Sequence, residues 1–222
     1  MKALFPAFNK TNLEADLTVF SGFKNRYFNS TYGRDAATWL QKRVQDIISN
    51  SGADEAGAEM ISFKHAWMQS STIAKIPGTT DKTIVIGAHM DSINAKDYDP
   101  ANAVAPGADD NGSGTVTLLE ALRVLLTDPT IAKGEQANTI EFHWYSAEEE
   151  GLLGSQIIFQ NYKADNVDVR AMLNQDMTGY VFKNRTEKLG IITDFTDASL
   201  NDFMRKVITG VSPGNAFLLL YI

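Results

Sequence analysis

Short β-type runs of apolar residues alternate along this chain with stretches of helical periodicity, and that alternation leaves few folds open. Residues 11–24 and 34–49 carry apolar positions three and four apart: Leu13, Leu17 and Phe20, then Ala37, Leu40, Val44, Ile47 and Ile48, with Arg34-Asp35 opening the second. Two β-type runs follow at 59–67 and 71–76, closed by Pro77-Gly78, and then one at 83–88 whose continuous apolar character suits burial on both faces. Thr115, Leu118, Leu119, Leu122, Leu125 and Leu126 spell a helix face. Strands at 139–145, 169–175 and 189–193 then alternate with helices at 154–162 and 198–208. Strands separated by helices make parallel crossovers, so the expected architecture is α/β. The expectation is a three-layer α/β/α sandwich around a mixed, mostly parallel sheet. At 222 residues the chain fits a single domain spanning 1–222.

The balance of 27 acidic against 20 basic side chains, a formal charge of -7, is poorly suited to holding phosphate backbones or anionic lipid. No window approaches the length of an apolar membrane span. The sequence therefore argues against nucleic-acid and membrane partners. Cys is absent, which removes a disulfide framework, a thiolate metal site and a Cys nucleophile. The triplets Asn9-Lys10-Thr11, Asn29-Ser30-Thr31 and Asn184-Arg185-Thr186 fit the N-glycosylation pattern, which has a mechanism only in a secreted protein.

What matters is where the acids fall. Ligands of open α/β sheets bind beyond the carboxyl ends of the strands. The first polar residues there are His89 and Asp91, then Glu148, Glu149 and Glu150, then Asp176. The long stretch 92–109, rich in Asn, Asp, Pro and Gly, is a candidate functional loop. It leads into the Gly-rich turn Ala108-Asp109-Asp110-Asn111-Gly112-Ser113-Gly114 at the mouth of a helix. Each piece alone has an ordinary reading, as a satisfied histidine, a solvated charge run, a turn or a strand-end acid. Together they place one imidazole and several carboxylates at one sheet edge, where repulsion must be relieved by protons or cations. An imidazole among carboxylates suits zinc or a neighbouring transition metal better than calcium, and two metals could share so many ligands.

The runs Gly87-Ala88-His89-Met90-Asp91-Ser92, Pro106-Gly107-Ala108-Asp109-Asp110-Asn111-Gly112-Ser113-Gly114, Ala147-Glu148-Glu149-Glu150-Gly151-Leu152-Leu153-Gly154-Ser155-Gln156 and Gln175-Asp176-Met177-Thr178 resemble the co-catalytic zinc aminopeptidases of family M28, and within it the secreted fungal leucine aminopeptidases. The likeness runs from Phe23-Lys24-Asn25-Arg26-Tyr27-Phe28 to about Ser199. It implies two zinc ions bridged by Asp110, which is followed by a cis peptide bond to Asn111. His89 and Asp176 would complete one zinc site and Glu149 would serve the other. Glu148 would be the general base, Asp91 would orient His89 from behind, and Met177 would contribute to a pocket for an apolar first side chain. Peptides with apolar amino-terminal residues are the implied substrates, and secretion the implied location. Glu150 carries no implied role.

The family's fifth ligand, a histidine, lies beyond residue 222, as do most of the specificity pocket and the common disulfide. The resemblance thus implies a C-terminally truncated member, and the segment from about Ser212, ending in Phe217-Leu218-Leu219-Leu220-Tyr221-Ile222, follows no family pattern. His65 and His143 are the other histidines, and both read as structural. Against the aminopeptidase stand a carboxypeptidase or glutaminyl cyclase of the same superfamily, and a catalytically silent relative that acts by binding.

Overall fold

A computed structural model describes residues 2–181, 189–211 and 216–219. The chain divides into two compact units, Ala3–Met177 and a second that begins at Thr178.

In the first unit, α1 (Lys10–Phe20) and α2 (Thr31–Ser51) precede a hairpin of β1 (Glu59–Phe63) and β2 (Ser71–Ile76), then β3 (Thr80–His89). After the loop come α3 (Gly114–Leu125), the short α4 (Pro129–Ala132), β4 (Asn138–Tyr145), α5 (Leu153–Ala164) and β5 (Asp168–Asn174). The strand order is β1-β2-β4-β3-β5. β4 and β5 flank β3 in parallel, whereas β1–β2 and β2–β4 are antiparallel. The sheet is mixed as expected, with a smaller parallel share than strand–helix alternation suggests. The reason is the Pro77-Gly78-Thr79 connection between β2 and β3, too short to carry a crossover helix, so β2 runs opposite to β3.

Local chemistry accounts for the helix ends. The Ser30 hydroxyl accepts from the Gly33 N–H at the start of α2, and Gly52, at φ 72°, turns the chain away at its end in a left-handed conformation open to glycine. The apolar face read from the sequence, Ala37, Leu40, Val44, Ile47 and Ile48, is buried. It packs with Leu118, Leu119 and Leu122 of α3 against Ala74, Ala88, Phe142 and Trp144 of the sheet. On the opposite face Ile158 of α5 joins Ile73 and Tyr145, with Phe159, Tyr162 and Met172 around them. Helices thus cover both faces, in three layers. The strand expected over 59–67 stops at Phe63, and the stretch beyond it stacks the His65 and Trp67 rings 4.4 Å apart.

In the second unit β6 (Leu189–Ile192) and β7 (Ala216–Leu219) pair in parallel around α6 (Ala198–Val211). The triplet at 184–186 and the chain at 212–215 and 220–222 lie outside the described residues. No helix of the described residues is long and apolar enough to cross a membrane.

Candidate metal centre

β3 ends on His89, whose side chain is 1% exposed. Its neighbour Met90 continues the line by donating its N–H to the Tyr145 carbonyl at 2.8 Å. Thr115, in the first turn of α3, donates to the His89 carbonyl at 3.0 Å. The imidazole is therefore fixed in the core with Nε2 facing the strand-end loops. Nε2 lies 3.2 Å from Asp110 Oδ1 and 3.5 Å from Asp176 Oδ1. One ligand atom from each of His89, Asp110 and Asp176 falls within 4.8 Å of the others. Bonds of about 2.0–2.1 Å at a tetrahedral zinc would separate two ligand atoms by roughly 3.4 Å, so the spacing suits a bound ion. The donor set, one imidazole and two carboxylates, suits zinc by chemistry as well.

Asp110 sits where the chain turns into α3. Gly107 adopts φ 48°, ψ 48°, and the Asp110–Asn111 peptide bond is cis, as the resemblance implies. The Asn111 side chain, fully buried, donates to the Gln175 carbonyl at 2.9 Å and accepts from the Gly114 and Met177 N–H groups at 2.9 and 3.2 Å. It thereby ties the segment bearing Asp176 to the turn bearing Asp110. Gly114 is required for this approach, since a Cβ there would lie 2.3 Å from Asn111 Oδ1.

Glu148 and Glu149 lie in the turn between β4 and α5, entered through Ala147 at φ 57°. Their backbone N–H groups donate to Asp91 Oδ1 and Oδ2 at 3.0 and 3.1 Å. Asp91 Oδ1 also stands 3.4 Å from His89 Nδ1, on the side away from Asp110 and Asp176. One buried carboxylate thus stands behind the histidine and braces the Glu148–Glu149 turn. Glu148 Oε2 lies 3.9 Å from His89 Nε2, near the group of three and outside it. Glu149 also lies outside that group. Met177 is exposed, at φ 46°.

The electrostatics call for positive charge. Burial lowers the basicity of His89, but the nearby Asp110, Asp176 and Asp91 carboxylates outweigh it and push the imidazole up to about 12. Burial, and then Asp110, push Glu149 up to about 7 against the opposing pull of His89. Burial raises Glu148 as well. The cluster thus holds protons where a divalent ion fits.

Two residues here escaped the sequence reading of roles: Asn111, noted there as the partner in the cis bond, and Arg26, noted there as part of a resembling run. Both act on backbone groups, Arg26 on carbonyls and Asn111 on a carbonyl and two N–H groups, which residue types do not advertise. The available signals were the Asn-Gly-Ser-Gly spacing, which permits close approach, and an Arg followed by the aromatic pair Tyr27-Phe28. Glu150, assigned no role, accepts from the Tyr27 hydroxyl at 3.2 Å.

An α/β sheet that gathers an imidazole and several carboxylates at its strand ends defines a candidate metal-binding α/β protein. The sequence pattern of peptidase family M28 matches residues 71–216, and the chain belongs to that family. It is 53% identical over 213 residues to leucine aminopeptidase 1 of Sclerotinia sclerotiorum, covering 94% of this chain and 54% of that protein. With leucine aminopeptidase 1 of Pyrenophora teres f. teres it shares 55% identity over 210 residues, 93% of this chain and 53% of the relative. The chain thus spans about half the length of the curated relatives it matches. Among solved structures, the Legionella pneumophila LapA aminopeptidase superposes with a TM-score of 0.85 at 29% identity, covering 98% of this chain and 55% of that one. A Bacteroides thetaiotaomicron glutaminyl cyclase superposes with a TM-score of 0.72 at 17% identity, covering 97% and 78%, and shows the fold alone.

Proposed function

We propose that this chain carries the metal centre of an aminopeptidase that removes apolar amino-terminal residues from peptides, with residues 1–222 as a single, incomplete peptidase domain. The observation that carries the reading is the convergence of His89, Asp110 and Asp176 with the Glu148 carboxylate 3.9 Å from His89 Nε2. In this reading His89, Asp110 and Asp176 would hold one zinc ion, and Asp110 and Glu149 would hold a second. Zinc, when bound, supplies Lewis-acid polarisation of the scissile carbonyl and a readily deprotonated water. Glu148 accepts the water proton at its carboxylate and passes it to the leaving amine. Burial of Glu148 favours its protonated form, which suits the second half of that transfer. Asp91 holds His89 and the Glu148 backbone in register, and Met177 borders the pocket for the first side chain. Secretion, with glycan at the Asn-X-Ser/Thr triplets, belongs to the same reading.

The test is hydrolysis of a leucyl anilide by the zinc-loaded chain, with the N-acetylated substrate as control. Cleavage of the free-amine substrate alone supports an aminopeptidase. Cleavage of neither, by a protein that holds two zinc ions, overturns it.

A second reading, a relative that binds metal or peptide without turnover, is favoured by the histidines. The chain has three. Two are engaged elsewhere, His65 Nε2 with Ser71 Oγ at 2.7 Å and His143 Nε2 with Glu141 at 2.9 Å, so neither joins Glu149 as a ligand. Elemental mass spectrometry separates the two. Close to two zinc ions per chain favours the enzyme, and one or none favours the binding relative.

A further inference from the structure

Arg26 is fully buried, although among the described residues its guanidinium makes no ion pair with a carboxylate. Its donors go to backbone carbonyls. Nε donates to Met90 at 2.8 Å, Nη2 to Gly107 at 2.8 Å, and Nη1 to Pro106. The Phe20 ring lies under the guanidinium, 4.4 Å from Cζ to the centroid. The Arg26 backbone N–H donates to Ser92 Oγ at 3.0 Å, and Ser92 Oγ in turn donates to the Ala105 carbonyl at 2.7 Å. Gln69 holds the Arg26 carbonyl at 3.0 Å.

Met90 lies between His89 and Asp91, and Pro106-Gly107 lies just ahead of Asp110. We infer that Arg26 is a positioning residue for the metal centre: one guanidinium ties the backbone that presents His89 and Asp91 to the backbone that presents Asp110. The inference rests on the metal reading above and concerns how the ligand frame is held.

Two physical arguments support it. A planar guanidinium offers several donors in a fixed fork, so it can hold carbonyls of two separate segments at once, which a lysine ammonium cannot do at fixed angles. A buried cation also needs compensating charge, and the carboxylates that act on Arg26 are Asp91, Asp110 and Glu149, the metal-site acids themselves. Arg26 therefore offsets part of their mutual repulsion as it fixes the loop. Glycine at 107 belongs to the same device. A Cβ there would lie 2.3 Å from the Asp110 carbonyl oxygen and 2.8 Å from Arg26 Nη2.

The experiment compares the full chain with Arg26→Lys. Zinc affinity is read by competition with a chromogenic chelator, cobalt coordination by visible absorption, and the fold by circular dichroism and urea unfolding. The expected result is zinc binding weaker by about 10- to 100-fold, the range for groups that orient metal ligands, with an altered cobalt spectrum. If Arg26→Lys only lowers the urea midpoint, and the folded protein keeps wild-type affinity and spectrum, Arg26 is a packing residue and the inference is overturned. Should the variant fail to fold, the wild-type chain decides. The Arg26 Nε–H resonance in ¹⁵N NMR should shift on zinc saturation, while that of Arg43, paired with Asp16, stays in place. An unmoved Arg26 signal overturns the inference. A wild-type chain that takes up neither zinc nor cobalt sinks the metal reading itself, a result distinct from wild-type binding that Arg26→Lys leaves unchanged.

Discussion

His89 and His143 lie on neighbouring strands, with Gly87 registered against His143 and His89 against Tyr145. Both rings are buried and both touch carboxylates, yet their surroundings differ in one respect. Around His143 one carboxylate meets two donors. Glu141, two residues earlier on the same face of β4, accepts from His143 Nε2 at 2.9 Å and from the Tyr162 hydroxyl of α5 at 2.6 Å. A carboxylate can only accept, so Nε2 carries a proton, and Nδ1, buried without a partner, is the bare nitrogen of a neutral ring. Burial lowers the basicity of His143, consistent with that state. Around His89 the acceptors exceed the donors, because Asp91, Asp110, Glu148 and Asp176 all lie within 4.0 Å of its ring nitrogens. One carboxylate with two donors needs no ion, whereas an excess of acceptors at an open strand end invites one.

The largest effect expected on this contrast is catalytic. Glu148→Gln should lower leucyl-anilide turnover by about 10²- to 10⁴-fold and leave zinc content unchanged, as loss of a general base without loss of a ligand requires. Loss of zinc with the activity would place Glu148 among the ligands.

Next comes metal affinity. His89→Gln should weaken zinc binding by more than about 100-fold, beyond the range of an outer hydrogen-bond partner, when measured by chelator competition. The same change at His143 should leave the affinity of the folded protein as it was. Equal losses at the two histidines would erase the distinction between them.

Stability should show the reverse order. His143→Gln leaves a buried carboxylate short of a donor of the right reach and should cost about 1–3 kcal/mol in urea unfolding. Its pH dependence has a defined sign. The unfolded chain takes up a proton at His143 near pH 6.5 and the folded chain resists it, so this contribution is complete above that pH and is lost as pH falls below it. The difference between wild type and His143→Gln, measured on zinc-free protein at pH 7.5 and 5.5, should therefore shrink at the lower pH. Growth of the difference would mean that His143 is charged in the folded state. The smallest effect is Tyr162→Phe, which removes the second donor to Glu141 and should cost about 1 kcal/mol by the same measurement.

The legible part of the molecule follows periodicity and chain position. Helical spacing marked the buried face of α2, and β2 was read to its bounds. His89, Asp110 and Asp176 were legible because each stands directly after a strand or at the opening of a helix, where an α/β sheet presents its ligands. The antiparallel share of the sheet was underestimated because alternation says how often strands occur, and the length of the β2–β3 connection decides how they run. Glu149 was paired with the other ligands by resemblance, while the group of three forms without it.

What the sequence by itself determined is the α/β fold and the set of side chains delivered to one sheet edge, since both depend on residue type and spacing along the chain. What only the tertiary structure decided is how that edge is held. Arg26 grips the carbonyls of 90, 106 and 107, Asn111 fastens the segment at 175–177, and Asp91 braces the Glu148–Glu149 turn. These bonds end largely on main-chain N–H and C=O groups, which almost every residue carries alike. No residue type announces which of them will be met, and only the folded path of the chain selects them.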